Sequence, residues 1–182
     1  MNGGNFFVGV DPSATSTGVA IVEIADNFKP VLRASTCIKA TTSTGICRSA
    51  EIGHLVAEYI ATVQGTIDVA PIIAIEGYSY GSKFQLPLLV EVGTLIRYRF
   101  HSSGWEAWVV PPTCLKKFVT GKGNTKGKGP LMIAAYKAWG FDLSQDDECD
   151  AACLAMMAAA HSGTWKMTAQ YQREAVGLMR RI

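Results

Sequence analysis

The chain has 182 residues, 48% of them apolar and 18% charged, with a mean hydropathy of +0.16. This excludes disordered, collagen-like and coiled-coil chains and fits one domain over residues 1–182, since a domain takes roughly 100–200 residues. Seventeen basic against 15 acidic side chains leave a net charge of only +2, which excludes a wholly basic DNA-coating protein but leaves room for a locally basic face.

The first 40 residues read as three strands, Asn5–Asp11, Thr17–Ile24 and Pro30–Ile38. The breaks between them are short, with small and hydroxyl residues at 12–16 and polar residues at 25–29, so an antiparallel meander is expected. A helix follows over 46–64, where Ile52, Val56, Tyr59 and Val63 recur at helical spacing. The solid apolar run at 70–76 suits a central strand covered on both faces. A second helix spans 84–100; Pro87 belongs in a first turn, which moves its start toward Leu86. Glu106–Val110 is a fifth strand, stopped by Pro111 and Pro112. Short helices at 112–119 and 130–139 flank a segment, 120–129, that holds four Gly and three Lys. Asp146–His161 is a strong helix, apolar nearly all round after Asp150, with Asp146 as its N-cap. A last helix runs over 168–180. The expected fold is therefore α/β: a five-stranded mixed sheet, a meander followed by crossover strands, flanked by helices.

No apolar run reaches the roughly 18–20 residues of a membrane span, and no secretory signal opens the chain. The five cysteines are odd in number and form no Cys-x-x-Cys. Reduced, mostly buried thiols in a cytoplasmic protein are expected, in a bacterium or a virus-infected host.

Four acids stand where acids are costly. Asp11 and Glu76 each end an apolar strand, and Asp147 and Asp150 share one face at the start of an apolar helix. If the first and fourth strands are neighbours, about 4.8 Å apart, Asp11 and Glu76 project from one end of the sheet. Carboxylates that close repel unless a proton or cation intervenes. An all-carboxylate set selects hard cations such as Mg²⁺ or Mn²⁺. Acids in a helix's first turn also gain from the macrodipole, but that does not explain Asp150 facing a buried helix. Glu148 should point away into solvent.

Positive charge is concentrated elsewhere. Between Pro112 and Phe141 lie Lys116, Lys117, Lys122, Lys126, Lys128 and Lys137, with no Asp or Glu. Alternating Gly and Lys let amides and ammonium groups approach phosphates closely. Setting the four acids above aside from the 15 leaves 11 against 17 bases, so a basic nucleic-acid face is compatible with the composition. Arg97 and Arg99 are weaker candidates for DNA or a partner subunit. Tyr78 and Tyr80 suit either base stacking or ordinary packing. His161 reads as a helix cap, and Arg173, Arg180 and Arg181 as an extension of the basic surface or a solubilising face.

Taken in order, these residues resemble the RuvC family of Holliday-junction resolvases within the ribonuclease H-like superfamily, including its compact phage-type members. The likeness rests on four segments: Val8-Gly9-Val10-Asp11-Pro12 through Thr17-Gly18, Ile75-Glu76, Val110-Pro111-Pro112 through Lys122-Gly123, and Asp147-Glu148-Cys149-Asp150-Ala151-Ala152. Two departures stand out. Ser13 replaces the family's usual Gly after Asp-Pro, and Tyr78 and Tyr80 stand where the family carries one wedge aromatic.

The resemblance implies that Asp11, Glu76, Asp147 and Asp150 bind two Mg²⁺ ions, with Mn²⁺ able to substitute. It also implies a homodimer that cuts a four-way DNA junction symmetrically and leaves 5′-phosphate ends. A C₂ pair of sites matches a two-fold junction, and the apolar side of the second helix (Leu86 to Ile96) is the candidate interface, or else intradomain core. Phosphodiester hydrolysis needs an activated water and a stabilised leaving oxygen, which two metals about 3.5–4 Å apart supply; Asp11 is the natural shared ligand. Alternatives are a nuclease for forks, flaps or structured RNA, an actin-like or sugar-kinase-like nucleotide-binding protein, for whose second domain the chain lacks room, and a non-cutting junction binder, which would not need the acids.

Overall fold

The structure, a computed structural model, describes residues 5–41, 44–65, 70–78, 86–124, 127 and 129–182. Strands β1 (Asn5–Asp11), β2 (Thr17–Ile24) and β3 (Pro30–Ile38) form the expected antiparallel meander. The β1–β2 turn is closed by hydroxyls. The Ser13 amide donates to Thr17 Oγ1 at 3.3 Å, the Thr17 hydroxyl donates to the Ser13 carbonyl at 3.2 Å, and the Thr15 amide donates to Ser13 Oγ at 3.3 Å. Serine after Asp-Pro thus supplies the turn with bonds a glycine lacks.

Strand β4 (Ile72–Glu76) lies parallel to β1, and β5 (Glu106–Val110) parallel to β4. Each parallel step needs a crossover. Helix α1 (Gly45–Gln64) connects β3 to β4, and α2 (Leu86–Ser102) connects β4 to β5. Pro87 sits in the first turn of α2, where a missing N–H costs nothing.

Among the described residues six strands, not five, make the sheet, in the order β3-β2-β1-β4-β5-β6. The sixth is the pair Arg180–Arg181, and the last helix is correspondingly shorter than expected: α6 spans Gln170–Val176. Its Gly177 amide donates back to the Arg173 carbonyl at 2.9 Å, and the chain then turns to β5. Arg180 and Arg181 pair with Val109 and Trp108, and the Ile182 amide donates to the Ala107 carbonyl at 3.1 Å. An open strand edge offers unpaired backbone groups; these attract two residues whose side-chain pattern carries no strand signal.

The sheet has a core on each face, as strand alternation requires. On one face Val8, Val10, Ile21, Ile73 and Ile75 pack against Ile52, Val56 and Ile60 of α1 and Val92, Ile96 and Phe100 of α2. Part of the apolar side of α2 is thus the protein's own core, while Leu86, Leu88, Leu89, Val90 and Leu95 along it are only half-buried. On the other face Phe7, Ala20, Val22 and Ala74 meet α5 (Asp146–His161), whose residues from Ala151 to Ala160 are all buried. The far side of α5 is covered by α3 (Pro112–Thr120), α4 (Gly129–Trp139) and α6. This three-layer burial explains an all-round apolar helix in a chain where no described helix is long and apolar enough to cross a membrane.

Candidate active site

The parallel register aligns Val10 with Ile75, so Asp11 and Glu76 follow as neighbours at the C-terminal ends of adjacent strands. On its other side Asp11 pairs with Gly18 of β2. Helix α5 lies on the backbones of these strands, and two glycines make that possible. A β-carbon at Gly9 would stand 1.8 Å from the Ala151 carbonyl oxygen and 2.5 Å from the Ala155 nitrogen; one at Gly18 would stand 2.1 Å from the Asp147 carbonyl oxygen. Only residues without a side chain permit such an approach. The first turns of α5 are thereby held over the end of β1, with Asp147 and Asp150 one turn apart. Sequence patterning missed this role of Gly9 and Gly18; the small Ala151 and Ala155 opposite Gly9 are the signal that could have found it.

The other three acids all act on Asp11. Burial, then the charges of Glu76, Asp150 and Asp147, push the Asp11 carboxyl well above the ordinary range, and it donates a hydrogen bond to Glu76. Glu76 is itself pushed up to about 7. Burial is the main cause and Asp150 adds to it, while the bond from Asp11 and the Lys116 ammonium oppose it. Two desolvated carboxyls in contact resist ionising together, which is why both are raised. Among the described residues no three acid, histidine or cysteine side chains are already set around a single metal position. The cluster's donor chemistry nevertheless fits a hard divalent cation. Every donor is a carboxylate oxygen, and the mutual repulsion is what a cation relieves.

Asp146 is not the N-cap of α5: the helix starts at Asp146 and Gln145 is the cap. Nor does Glu148 point into solvent. It accepts a hydrogen bond from the Ser35 hydroxyl of β3, which pins the first turn of α5 to the sheet edge. The half-buried Cys37 thiol lies beside this turn; burial first, then Glu148 and Asp147, raise its pKa against the opposing bond to Ser16.

The candidate DNA-binding residues divide. Lys116 is exposed on α3, lowers the pKa of Glu76, and lines a cleft of about 210 Å³ with Asp150, Gly127 and Leu131. Lys117, its neighbour, is instead tied to Glu174 of α6 at 2.6 Å. Lys122 is exposed, and its amide donates to Thr120 Oγ1 at 3.3 Å. Lys126, Lys128 and Tyr80 lie outside the described residues. Tyr78 is packed on α2: its hydroxyl donates to the Val90 carbonyl at 3.2 Å and shares a 3.0 Å bond with the Thr94 hydroxyl. The Arg97 guanidinium sits 4.4 Å from the Tyr78 ring centroid, with Nε and Nη2 buried and unpaired. His161 is not a cap but packs against Trp108, with ring centroids 3.9 Å apart and the rings tilted by 49°.

The chain matches Thermus thermophilus RuvC with a TM-score of 0.69 and 18% identity, over 88% of this chain and 98% of that one. The fold is that of RuvC. T. thermophilus RuvC in complex with Holliday junction substrate matches at a TM-score of 0.72 and 15% identity, over 98% of this chain and 99% of that one. No protein-family model matches the sequence, and no curated protein matches it. At these identities the likeness is one of fold, and it bears out the mixed α/β, RuvC-type fold expected from the sequence.

Proposed function

We propose that this chain is a metal-dependent, structure-selective endodeoxyribonuclease that resolves four-way DNA junctions, working as one nuclease domain in a homodimer. The observation that carries this reading is the gathering of Asp11, Glu76, Asp147 and Asp150 around one buried carboxyl pair, in a chain with the fold of a protein solved in complex with a Holliday junction.

In this reading Asp11, Glu76, Asp147 and Asp150 would together hold two Mg²⁺ ions, with Asp11 the candidate shared ligand and Mn²⁺ able to substitute. Bound there, the ions supply an activated water and charge stabilisation for the departing 3′ oxygen, leaving 5′-phosphate ends. The chain's own groups do the rest. The Asp11–Glu76 pair gives up its proton to become a ligand pair. Lys116, at the mouth of the cleft beside Asp150, holds a phosphate oxygen. The glycine contacts of β1 and β2 fix the helix that carries Asp147 and Asp150 and so keep these two acids near Asp11.

A strand-labelled synthetic four-way junction, a fork and a linear duplex of the same sequence test the proposal. The junction should be cut on opposing strands in Mg²⁺ and the duplex left intact. Equal cutting of fork and junction would move the assignment to a general branched-DNA nuclease.

A further inference from the structure

At the far end of α5 from the acids, a cavity of about 730 Å³ opens between Phe28, Ala160, Trp165, Lys166, Met167 and Arg173. Its size is that of a ligand or peptide side-chain pocket, roughly 300–1,000 Å³. The walls are built rather than incidental. Trp165 is braced edge-on by Phe118 and Trp139, with ring centroids 6.0 and 6.1 Å away, and its amide donates to the Ala159 carbonyl at 3.0 Å. Arg173 donates from its guanidinium to the Met167 carbonyl at 3.4 Å, which holds it on the wall.

Phe28 is the unusual member. It lies in the β2–β3 turn with φ +61° and 72% of its surface exposed. A left-handed backbone is unfavourable for a bulky aromatic residue. The turn holds it there through the Phe28 amide, which donates to the Ala25 carbonyl at 2.8 Å, and the Ala25 amide, which donates to the Lys29 carbonyl at 3.0 Å. The consequence is an aromatic ring kept in water at the rim of an apolar cavity. Strain and exposure together mark a recognition position.

The charge of the lining identifies the occupant's chemistry. Lys166 and Arg173 are both exposed and no lining residue is acidic. An occupant must therefore carry an apolar body for Phe28, Trp165 and Met167 and negative charge for the two cations. We infer that this cavity docks an acidic peptide segment of another protein through an aromatic side chain. A nucleic-acid strand fits less well, because its phosphates need cations spaced along a groove and the remaining lining is apolar or uncharged. Helix α5 has 16 residues, or about 24 Å at 1.5 Å per residue. A peptide bound at its C-terminal end leaves the acid cluster at its N-terminal end open.

The probe is a fluorescein-labelled peptide of four aspartates followed by a C-terminal phenylalanine, titrated with the full chain and read by anisotropy. Saturable binding is expected. It should weaken at least about tenfold in Lys166→Glu, in Phe28→Ser, and when the peptide's phenylalanine becomes serine, as for a buried anchor with a charged rim. An unchanged melting temperature of Lys166→Glu shows that its fold is intact. Absence of saturable binding, binding indifferent to all three changes, or displacement of the peptide by an oligothymidine that depends on the same residues would overturn the inference. This test does not involve the acids, so it stands or fails independently of the nuclease reading.

Discussion

Gly18 lies directly against the backbone of Asp147: a β-carbon at position 18 would stand 2.1 Å from the Asp147 carbonyl oxygen and 3.2 Å from the Asp147 β-carbon. One proposed ligand is therefore placed by the absence of a side chain on a strand that carries no ligand itself. The chain that supplies Asp11 turns back at once to supply this contact, through a turn held by Ser13 and Thr17. Fold and proposed chemistry meet in one backbone-to-backbone approach.

Gly18→Ala should force the start of α5 away from the sheet. Overpacking of this kind costs about 1–3 kcal/mol, so the melting temperature should drop by several degrees. Cleavage should fall further than this loss of stability explains, by about a hundredfold, because misplacing a group by about 1 Å has that effect. Gly129→Ala is the matched control, since open space surrounds that position and it starts α4; neither stability nor cleavage should decline. Melting curves and cleavage rates for the two variants check this.

Asp11→Asn keeps a donor toward Glu76 and removes the carboxylate. Cleavage should disappear while the metal-free protein melts at or above the wild-type temperature, because a buried amide, unlike the Asp11 carboxyl with its raised pKa, needs no proton taken up on folding. Wild-type turnover in this variant would remove Asp11 from the mechanism.

The raised acids give the metal-free protein a defined pH dependence. Asp11 lies well above its ordinary value and Glu76 at about 7 instead of 4.5. Between these limits the native state binds more protons than the unfolded chain, so stability falls as pH rises toward and through about 7. With chelator present, the melting temperature should decline from pH 5 to pH 8. Mg²⁺ should raise it more at pH 8 than at pH 5, because the ion replaces the proton. Glu76→Gln should flatten the chelator curve.

Lys116 and Lys117 are adjacent in sequence and should behave differently. Lys116→Ala removes a cation beside Glu76 and Asp150. It should weaken junction binding and reduce the slope of log affinity against log salt by about one. Lys117→Ala loses an exposed pair with Glu174 and should leave both the binding and its salt slope near wild type. Junction affinities measured over a salt series distinguish the two.

Much of this was legible in the chain. The meander followed from short polar breaks between β-branched runs, and the Asp11–Glu76 adjacency from two apolar strands that each end in an acid. The central burial of α5 followed from its all-round apolar surface. What escaped was whatever depends on a partner distant in sequence. The strand pairing of Arg180 with Val109 satisfies backbone groups and leaves no side-chain pattern. The anchoring of Glu148 by Ser35, the tie of Lys117 to Glu174, and the attachment of Tyr78 to α2 need a tertiary neighbour that no local period reveals. Gly9 and Gly18 appear in sequence as weak strand residues; their importance shows only when a helix backbone lies against them.

The most direct measurement is strand cleavage of a labelled four-way junction by the wild-type chain and by Asp11→Asn, each with Mg²⁺ and with chelator. Paired cuts by the wild type in Mg²⁺ alone, with none from the variant under either condition, are the predicted result. Cutting that persists in chelator, or that the variant performs as well as the wild type, would contradict a site built on these four carboxylates.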